Sequence, residues 1–331
     1  MIDQAFFNPQ GLYSEIGHYK LPGRSVMRGY LFSSRNSLQL AECRNAEASV
    51  GRFGLDGMSV ANVRSTGHDV AVSEVMHTTV IVPLTGKLIS STLSEETQAH
   101  TGGMLVFPPN RRQTRVIADK NGRFNAVNIL IPYNEIRDAL LRLEYSPRAV
   151  RRLNGIEGWL DGGALPAVAG FRALVATLHG EICQGGAVIR WDSTRKAWRR
   201  LIVDKLAEVL ASAEDMLISP DLAPAVRNAY VEKALDYMRA NHTTIAPVAD
   251  VAKSCGISTR TLEQAFRQNL GITPYQAITE MRLDTARRLL SDPDRVQSVT
   301  EIALVCGISH LGRFAKQYQS RFGELPSETM R

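Results

Sequence analysis

The sequence lacks the features that build disulfide frameworks, membrane spans and signal peptides. It has four cysteines among 331 residues and no C-x-x-C pair, so we expect reduced and mostly buried thiols. The apolar stretches are interrupted well before the roughly 20 residues of a membrane helix, and the first residues lack a basic-then-apolar pattern. We therefore expect a soluble cytoplasmic protein without a membrane segment. The cysteines are Cys43, Cys183, Cys255 and Cys306.

Charge is not concentrated strongly enough to identify a partner by itself. The chain has a formal net charge of +6 and a pI near 9.2, values that suit a polyanionic partner. Residues 226–331 nevertheless hold 14 Lys+Arg against 11 Asp+Glu, so the placement of the charges must decide. With 331 residues, 44% of them hydrophobic, the chain is long enough for two domains.

An internal repeat is present near the C-terminus. Residues 248–258 match residues 299–309 at an offset of 51, and six of the eleven positions are identical. Both copies show the apolar spacing of a helix followed by a glycine, Gly256 or Gly307, which can end a helix in the left-handed conformation at low cost. Ser258 and Ser309 are predicted to cap the next helix. Each copy therefore has the pattern of a helix-turn-helix.

A long helix is predicted between the two copies. Thr273 is suited to cap this helix and Pro274 to its first turn, and we expect it to continue to about Leu290. Its apolar positions are available for the cores of both copies: Ile278, Met281, Leu283, Ala286 and Leu289. A stiff connection of this kind fixes the distance between the two helix-turn-helix units.

Residues 298–326, SVTEIALVCGISHLGRFAKQYQSRFGELP, closely resemble the signature of the AraC/XylS family of transcription regulators. The resemblance covers about 100 residues of the chain. It implies a regulator, not an enzyme, that binds double-stranded promoter DNA, usually as an activator, with RNA polymerase as a further partner. The predicted organisation is an effector-sensing and dimerisation domain (1–216), a linker (217–224) and a DNA-binding domain (225–331).

The early, outward-facing residues of the second helix in such a unit meet base edges in the major groove. This rule selects Arg260, Glu263, Gln264 and Arg267 in the first unit, and His310, Arg313 and Lys316 in the second. Arg260, Gln264 and Arg313 are the leading candidates, because arginine pairs with guanine and glutamine with adenine. The alternative for each is an ordinary solvated side chain, and Glu263 is also placed to pair with Arg267. Residues expected to touch phosphates, or no DNA, are Lys253, Arg282, Arg295 and Arg321.

Residues 30–131 alternate in the manner of short strands separated by glycine and Asn/Asp turns. The predicted strands are Ser49–Phe53, Ser59–Arg64, Asp69–Val75, Thr78–Pro83, Lys87–Ser91, Met104–Phe107, Thr114–Ala118 and Phe124–Ile131. This pattern favours a closed β-barrel that holds one small ligand. Segments 78–86 and 102–109 resemble the cupin-type sensor of XylS-like regulators. The predicted fold is thus α+β: a cupin-like β-barrel with dimerisation helices, then an all-α domain of two helix-turn-helix units joined by a long helix.

The histidines do not form the metal centre of an enzymatic cupin. His68, His77 and His100 are scattered and include no H-x-H pair. The sequence therefore favours a sensor without metal or cofactor. The alternative from another class is a cupin metalloenzyme fused to a DNA-binding module.

An arginine-rich segment, NRRQTR at 110–115, precedes one of the predicted strands. In an extended chain Arg111 and Arg115 point to one side and Arg112 to the other, and two guanidinium groups can clamp one anion. The segment resembles the R-x-x-x-R motif of PilZ-type cyclic di-GMP receptors, which implies cyclic di-GMP as an effector. The second PilZ element, Asp/Asn-x-Ser-x-x-G, is not met, since 62–67 has different spacing. Arg64 and Ser65 are therefore lesser candidates.

Two other interpretations of the sensor stay open. The family resemblance also implies an aromatic carboxylate or a sugar inside the barrel. In the other interpretation the arginines lie on a surface loop and bind no ligand.

Helices are predicted at Tyr133–Glu144, Pro166–Gln184 and Asp192–Ala213. The last carries an apolar stripe of Trp198, Leu201, Ile202, Leu206, Val209 and Leu210. This stripe packs against its own barrel or, as the resemblance implies, forms a homodimer.

Overall fold

The alternating segments of the first half of the chain form two β-sheets in the computed structural model, which describes residues 6–8, 10–20, 26–31, 34–41, 45–93, 95–217, 229–244, 247–292 and 295–330. The strands are β1 (Ser14–Lys20), β2 (Val26–Leu31), β3 (Ser34–Leu40), β4 (Glu47–Leu55), β5 (Met58–Ser65), β6 (His68–Ser73), β7 (His77–Thr85), β8 (Lys87–Ser91), β9 (Glu96–His100), β10 (Gly103–Phe107), β11 (Arg111–Ile117), β12 (Phe124–Pro132) and β13 (Gly158–Asp161). Each of the eight predicted strands overlaps one of these, with bounds that differ by up to a few residues.

The chain divides into two compact units, which we describe separately. The sheet unit comprises Met1–Arg28, Ser37–Val72 and His77–Ala225. The helical unit comprises Gly29–Asn36, Ser73–Met76 and Val226–Arg331. The predicted linker at 217–224 lies outside the described residues, apart from Leu217.

The prediction of one closed barrel is wrong for the described strands. Their hydrogen bonds give a 7-stranded sheet of order β1-β4-β5-β12-β7-β10-β13 and a 6-stranded sheet of order β2-β3-β6-β11-β8-β9. A barrel needs one continuous ladder that returns to its first strand, whereas each of these ladders ends at two different edges. Period-two alternation arises equally in a barrel wall and in two packed sheets, so the sequence pattern did not distinguish them.

Helices cover one face of the 7-stranded sheet. They are α1 (Tyr133–Arg142), α2 (Pro147–Asn154), α3 (Pro166–Gln184) and α4 (Asp192–Leu217), and the α3 bounds agree with the prediction. The central strands contribute Val80, Val127 and Ile129 to a core that these helices complete. The predicted stripe of α4 lies mainly in this core: Ile202, Leu206, Val209 and Leu210 are buried, Trp198 packs against them, and Leu201 is 45% exposed. Most of the stripe thus packs against its own sheet unit.

His68 at the start of β6 makes the stability of the chain depend on pH. It is buried, its Nδ1 lies 2.9 Å from Ser65 Oγ, and burial lowers its pKa to about 4. The unfolded chain, with an ordinary histidine pKa, binds a proton below about pH 6.5 that the folded chain does not bind. Stability is therefore lost as the pH falls from 6.5 through 4.

We expect the step from pH 7.5 to pH 5 to cost about 2 kcal/mol through this one group. Urea unfolding at the two pH values should show this loss in the wild type and a smaller loss in His68→Gln. His100 is exposed, so His100→Gln should behave like the wild type. An equal pH dependence in the wild type and His68→Gln would contradict the assignment.

The helical unit contains seven helices in its described residues. They are α5 (Ala229–Asn241), α6 (Val248–Cys255), α7 (Thr259–Leu270), α8 (Pro274–Leu290), α9 (Val299–Val305), α10 (Leu311–Phe322) and α11 (Pro326–Thr329). The predicted long helix ending at Leu290 is confirmed as α8. Each of the two predicted helix-turn-helix units has a hydrophobic core, and α8 contributes to both.

Candidate nucleic-acid interface

The first helix-turn-helix consists of α6 and α7. Gly256 follows α6 with φ of +73°, a conformation that glycine adopts without a steric penalty. Ser258 caps α7 by accepting a hydrogen bond from the Thr261 N–H at 3.1 Å, as predicted. Leu262 and Phe266 are buried and pack against α6 in one core. Because this face of α7 packs against α6, the opposite face is the one exposed to solvent.

The second helix-turn-helix consists of α9 and α10. Gly307 has φ of +72°, and Phe314 and Tyr318 of α10 are buried against α9. The prediction that Ser309 caps the second helix is wrong: the residue before α10 is His310, whose side chain makes no capping hydrogen bond. Three residues separate Gly307 from α10, whereas two separate Gly256 from α7. The extra residue moves the start of α10 beyond the serine.

The connecting helix α8 holds the two units together. Its first turn is closed by a capping box, in which Thr273 Oγ1 accepts the Gln276 N–H at 3.2 Å and Gln276 Oε1 accepts the Thr273 N–H at 2.8 Å. Its buried residues then divide between the two cores, with Ala277, Ile278 and Met281 in the first and Leu283, Ala286 and Leu290 in the second. Leu289 packs against the second core, so all five predicted core positions are confirmed.

The two turn glycines differ in how much room surrounds them. A Cβ on Gly307 would lie 2.7 Å from the Thr243 carbonyl oxygen and 3.3 Å from Arg282 Nε, whereas a Cβ on Gly256 would meet nothing within 4 Å. Both residues have the left-handed conformation, which costs an L-residue about 1–2 kcal/mol. We expect Gly256→Ala to lose about that much stability, and Gly307→Ala to lose about 1–3 kcal/mol more through the clash. Urea unfolding of both variants checks this, and equal losses would contradict it.

The structure places all seven predicted base-reading residues at the surface. Arg260, Glu263, Gln264 and Arg267 are exposed on α7, and His310, Arg313 and Lys316 are exposed at the start of α10 and along it. Among the described residues, Glu263 and Arg267 form no ion pair with each other. The exposure leaves these side chains accessible to DNA. Their contacts with bases stay a prediction.

The four residues predicted to touch phosphates, or no DNA, have different environments in the structure. Lys253 is exposed. Arg282 Nε donates to the His242 carbonyl at 2.8 Å, and Arg295 Nη1 donates to the Asp292 carbonyl at 2.7 Å, so both are held by the protein. Arg321 is buried in an ion pair, so a phosphate contact is excluded for it and only the alternative without a DNA contact remains.

Arg321 joins α10 to α8 through a buried ion-pair network. Its Nη2 donates to Asp284 Oδ2 at 2.6 Å, and its Nη1 lies 3.6 Å from Glu280 Oε2, with no exposed side-chain surface on the arginine. Burial opposes the charge on Arg321, but Asp284 and Glu280 hold its pKa above the ordinary value. The sequence signal that could have indicated this ion pair is the pair of carboxylates, Glu280 and Asp284, one turn apart on a helix whose apolar positions were predicted to enter both cores.

The predicted effector residues of β11 point to two sides. Burial alternates along this strand, so that Arg111 and Arg115 are exposed and Arg112 is buried, as the extended spacing predicts. Arg115 Nε forms an exposed ion pair with Asp69 at 3.1 Å. Arg112 donates to Asn110 Oδ1 at 2.9 Å and lies over the Phe107 ring at 4.9 Å. The motif begins inside the strand rather than in a loop before it.

Arg64 and Ser65 lie apart from that exposed face, on β5. Arg64 is 1% exposed, and its Nη1 donates to the Phe6 carbonyl at 2.6 Å. Its Nε and Nη2 have no hydrogen-bond partner among the described residues. Ser65 is buried and its Oγ lies 2.9 Å from His68 Nδ1. The structure therefore brings Arg111 and Arg115 to one face of one strand, and places the other three candidates in the interior.

The described part of the chain holds neither a metal-binding cluster nor a membrane-spanning helix. No group of three or more His, Cys, Asp or Glu side chains there is placed to hold a metal ion. No helix there is long and apolar enough to cross a membrane.

Two helix-turn-helix units joined by a long helix define a double helix-turn-helix domain. A family model described as a helix-turn-helix domain matches residues 251–331. The XylDLEGF operon transcriptional activator of Pseudomonas putida is 36% identical over 132 residues, which are 40% of this chain and 40% of that protein. The XylDLEGF operon transcriptional activator 2 of P. putida is 36% identical over 134 residues, which are 40% of this chain and 82% of that protein.

A solved structure is similar over a larger share of the chain. The crystal structure of the AraC-like transcriptional activator CuxR covers 82% of this chain and 91% of its own, with 14% identity and a TM-score of 0.49. The chain belongs to the AraC/XylS family of transcription regulators, as the match to most of the second P. putida protein shows. It spans about two fifths of the length of the first.

Proposed function

We propose that the protein is a transcription activator that binds promoter DNA through both helix-turn-helix units and responds to a small anionic effector. DNA binding is supported mainly by the helices α7 and α10. Each follows a left-handed glycine, buries one face and exposes the predicted base-reading residues. The named relatives that support activation are operon activators. RNA polymerase is the further partner that activation requires.

The geometry of one rigid domain with two readers limits the DNA site. Recognition helices that enter successive major grooves are about 34 Å apart along the duplex, which corresponds to one helical turn. The full-length protein should therefore select, from a pool of random duplexes, a site with two half-sites about 10 base pairs apart. We call the best such sequence the selected duplex. Enrichment of a single half-site, or of no sequence, would contradict this function.

Cyclic di-GMP is the effector proposed for the exposed face of β11. Arg111 and Arg115 lie on the same side of the strand, and an exposed ion pair such as Arg115–Asp69 contributes only about 0–1 kcal/mol, so a phosphate can replace the carboxylate. Calorimetry with cyclic di-GMP should give saturable heats that disappear in Arg111→Ala/Arg115→Ala. Arg142→Ala, which removes an exposed arginine elsewhere, should retain them. Unchanged heats at tens of micromolar ligand would end this proposal.

A buried arginine favours a second candidate effector, a small aromatic carboxylate. Arg64 presents two guanidinium nitrogens without a protein hydrogen-bond partner among the described residues, and a carboxylate accepts two parallel hydrogen bonds from such a group. Benzoate should then raise the melting temperature of the wild type but not that of Arg64→Met. The β11 double variant should respond to benzoate as the wild type does. No shift in the wild type would exclude this effector.

A homodimer is the assembly proposed for the sheet unit. The exposed apolar side chains around α4 include Leu143 and Leu201, which line an open groove of about 580 Å³ together with Tyr145 and Lys205. Sedimentation of the wild type should show a dimer, and Leu143→Ser/Leu201→Ser should shift it towards monomer. A monomer at all concentrations, with and without effector, would rule the dimer out.

A further inference from the structure

The second recognition helix begins with a different chemistry from the first. Aligning α7 and α10 on their first residues superimposes Leu262 on Phe314 and Phe266 on Tyr318, all buried. In this alignment, Leu311 and Gly312 of α10 correspond to Thr259 and Arg260 of α7. The first two positions of α10 therefore have no side-chain hydrogen-bonding group, whereas those of α7 have two.

Leu311 is nevertheless at the surface, where the first turn of α10 begins. It is 40% exposed, and its neighbours His310, Gly312 and Arg313 are exposed as well. The three-residue turn after Gly307 makes Leu311 the first helical residue, since His310 rather than Ser309 precedes the helix. An apolar side chain thus lies in the same first turn of α10 as Arg313, a predicted base reader two residues further on.

The space around Leu311 lets a DNA base come close to the first turn of α10. A Cβ on Gly312 would meet nothing within 4 Å, so the surface next to Leu311 is open and carries no side chain. A glycine at this position lets a base edge come closer to the first turn than the arginine at the matching position of α7 would. The start of α10 therefore suits shape and apolar contact rather than hydrogen bonding.

We infer that Leu311 reads a thymine in the second half-site by packing on its C5-methyl group. This methyl is the apolar group that a base pair presents in the major groove, and it distinguishes thymine from cytosine without a hydrogen bond. The two helix-turn-helix units then read DNA differently: the first by polar side chains alone, the second by polar side chains and an apolar contact at the start of α10. This inference rests on the proposed DNA-binding function and adds a specificity-determining residue to it.

Deoxyuridine tests the contact because it keeps the pairing edge of thymine and lacks the methyl group. Footprinting of Arg313→Ala on the selected duplex identifies the second half-site, which this variant should no longer protect. Each thymine of that half-site is then replaced in turn by deoxyuridine. The wild type should lose about fourfold in affinity at one of these positions, the amount expected for one buried methyl group. Leu311→Ala should lose about fourfold on the unmodified duplex and nothing more on the modified one.

Two further variants separate this contact from a structural effect. Leu311→Met keeps an apolar side chain, so it should retain the sensitivity to deoxyuridine. Leu304 on α9 is 60% exposed in the same helix-turn-helix, and Leu304→Ala should also retain it. Wild-type binding that is indifferent to deoxyuridine at every position, or undiminished sensitivity in Leu311→Ala, would overturn the inference. If no duplex is selected at all, the proposed function fails first, and the inference with it.

Discussion

Replacing Arg321 by alanine should lower the free energy of unfolding by about 3–5 kcal/mol, the usual cost of removing one partner of a buried ion pair. The guanidinium lies within 3.6 Å of Glu280 and 2.6 Å of Asp284, and Glu280 is itself buried. The variant removes this cation from beside the two carboxylates, of which Glu280 is 3% and Asp284 20% exposed. Urea unfolding of the full chain at neutral pH measures the loss.

Two controls distinguish the uncompensated charge from the loss of packing. Arg313 is exposed, so Arg313→Ala should change stability by less than about 0.5 kcal/mol. Combining Arg321→Met with Glu280→Gln and Asp284→Asn removes the charges together and should recover much of the loss. If the triple variant is no more stable than Arg321→Ala, the charges are not the cause.

The variant Arg260→Ala/Arg313→Ala should lose nearly all sequence-specific DNA binding. A bidentate arginine contact contributes about 1–3 kcal/mol of discrimination, and the two residues lie in different helix-turn-helix units, so their effects should add. The expected total is about 2–6 kcal/mol on the selected duplex. Competition with a scrambled duplex at one fixed salt concentration measures it, because non-specific binding depends steeply on salt.

Lys253 supplies the matched control for this variant. It is exposed and lies on α6 rather than on a recognition helix. Lys253→Ala should weaken binding to the selected and scrambled duplexes by similar factors and reduce the dependence on salt. If the double arginine variant loses affinity equally for both duplexes, these arginines contact phosphates and the assignment of the readers is wrong.

Much of the helical unit follows from local sequence signals. The glycines at 256 and 307 and the Thr273–Pro274 start each act within a few residues, and the helices that they predict are present. Ser309 shows the limit of this logic, since one inserted residue moved the start of α10 without changing the repeated motif. Arg321 shows another limit, because the carboxylates that neutralise it lie on a different helix.

The sheet unit was less predictable because its arrangement depends on pairing between distant strands. Strand β12 pairs with β5 and β7, whose paired residues precede it by 40 to 71 positions, and alternation does not encode such a choice. That Arg111 and Arg115 share one side of the strand followed from the period of a strand alone, but which side is exposed did not. The burial of Arg64 did not, because its partner at the Phe6 carbonyl lies far away in sequence.

Hydroxyl-radical footprinting on the selected duplex tests most directly whether one chain places two readers on DNA. The wild type should protect two half-sites about one helical turn apart. Arg260→Ala should weaken protection at one of them, and Arg313→Ala at the other. Identical footprints from the two variants, or a single protected half-site in the wild type, would contradict a double reader.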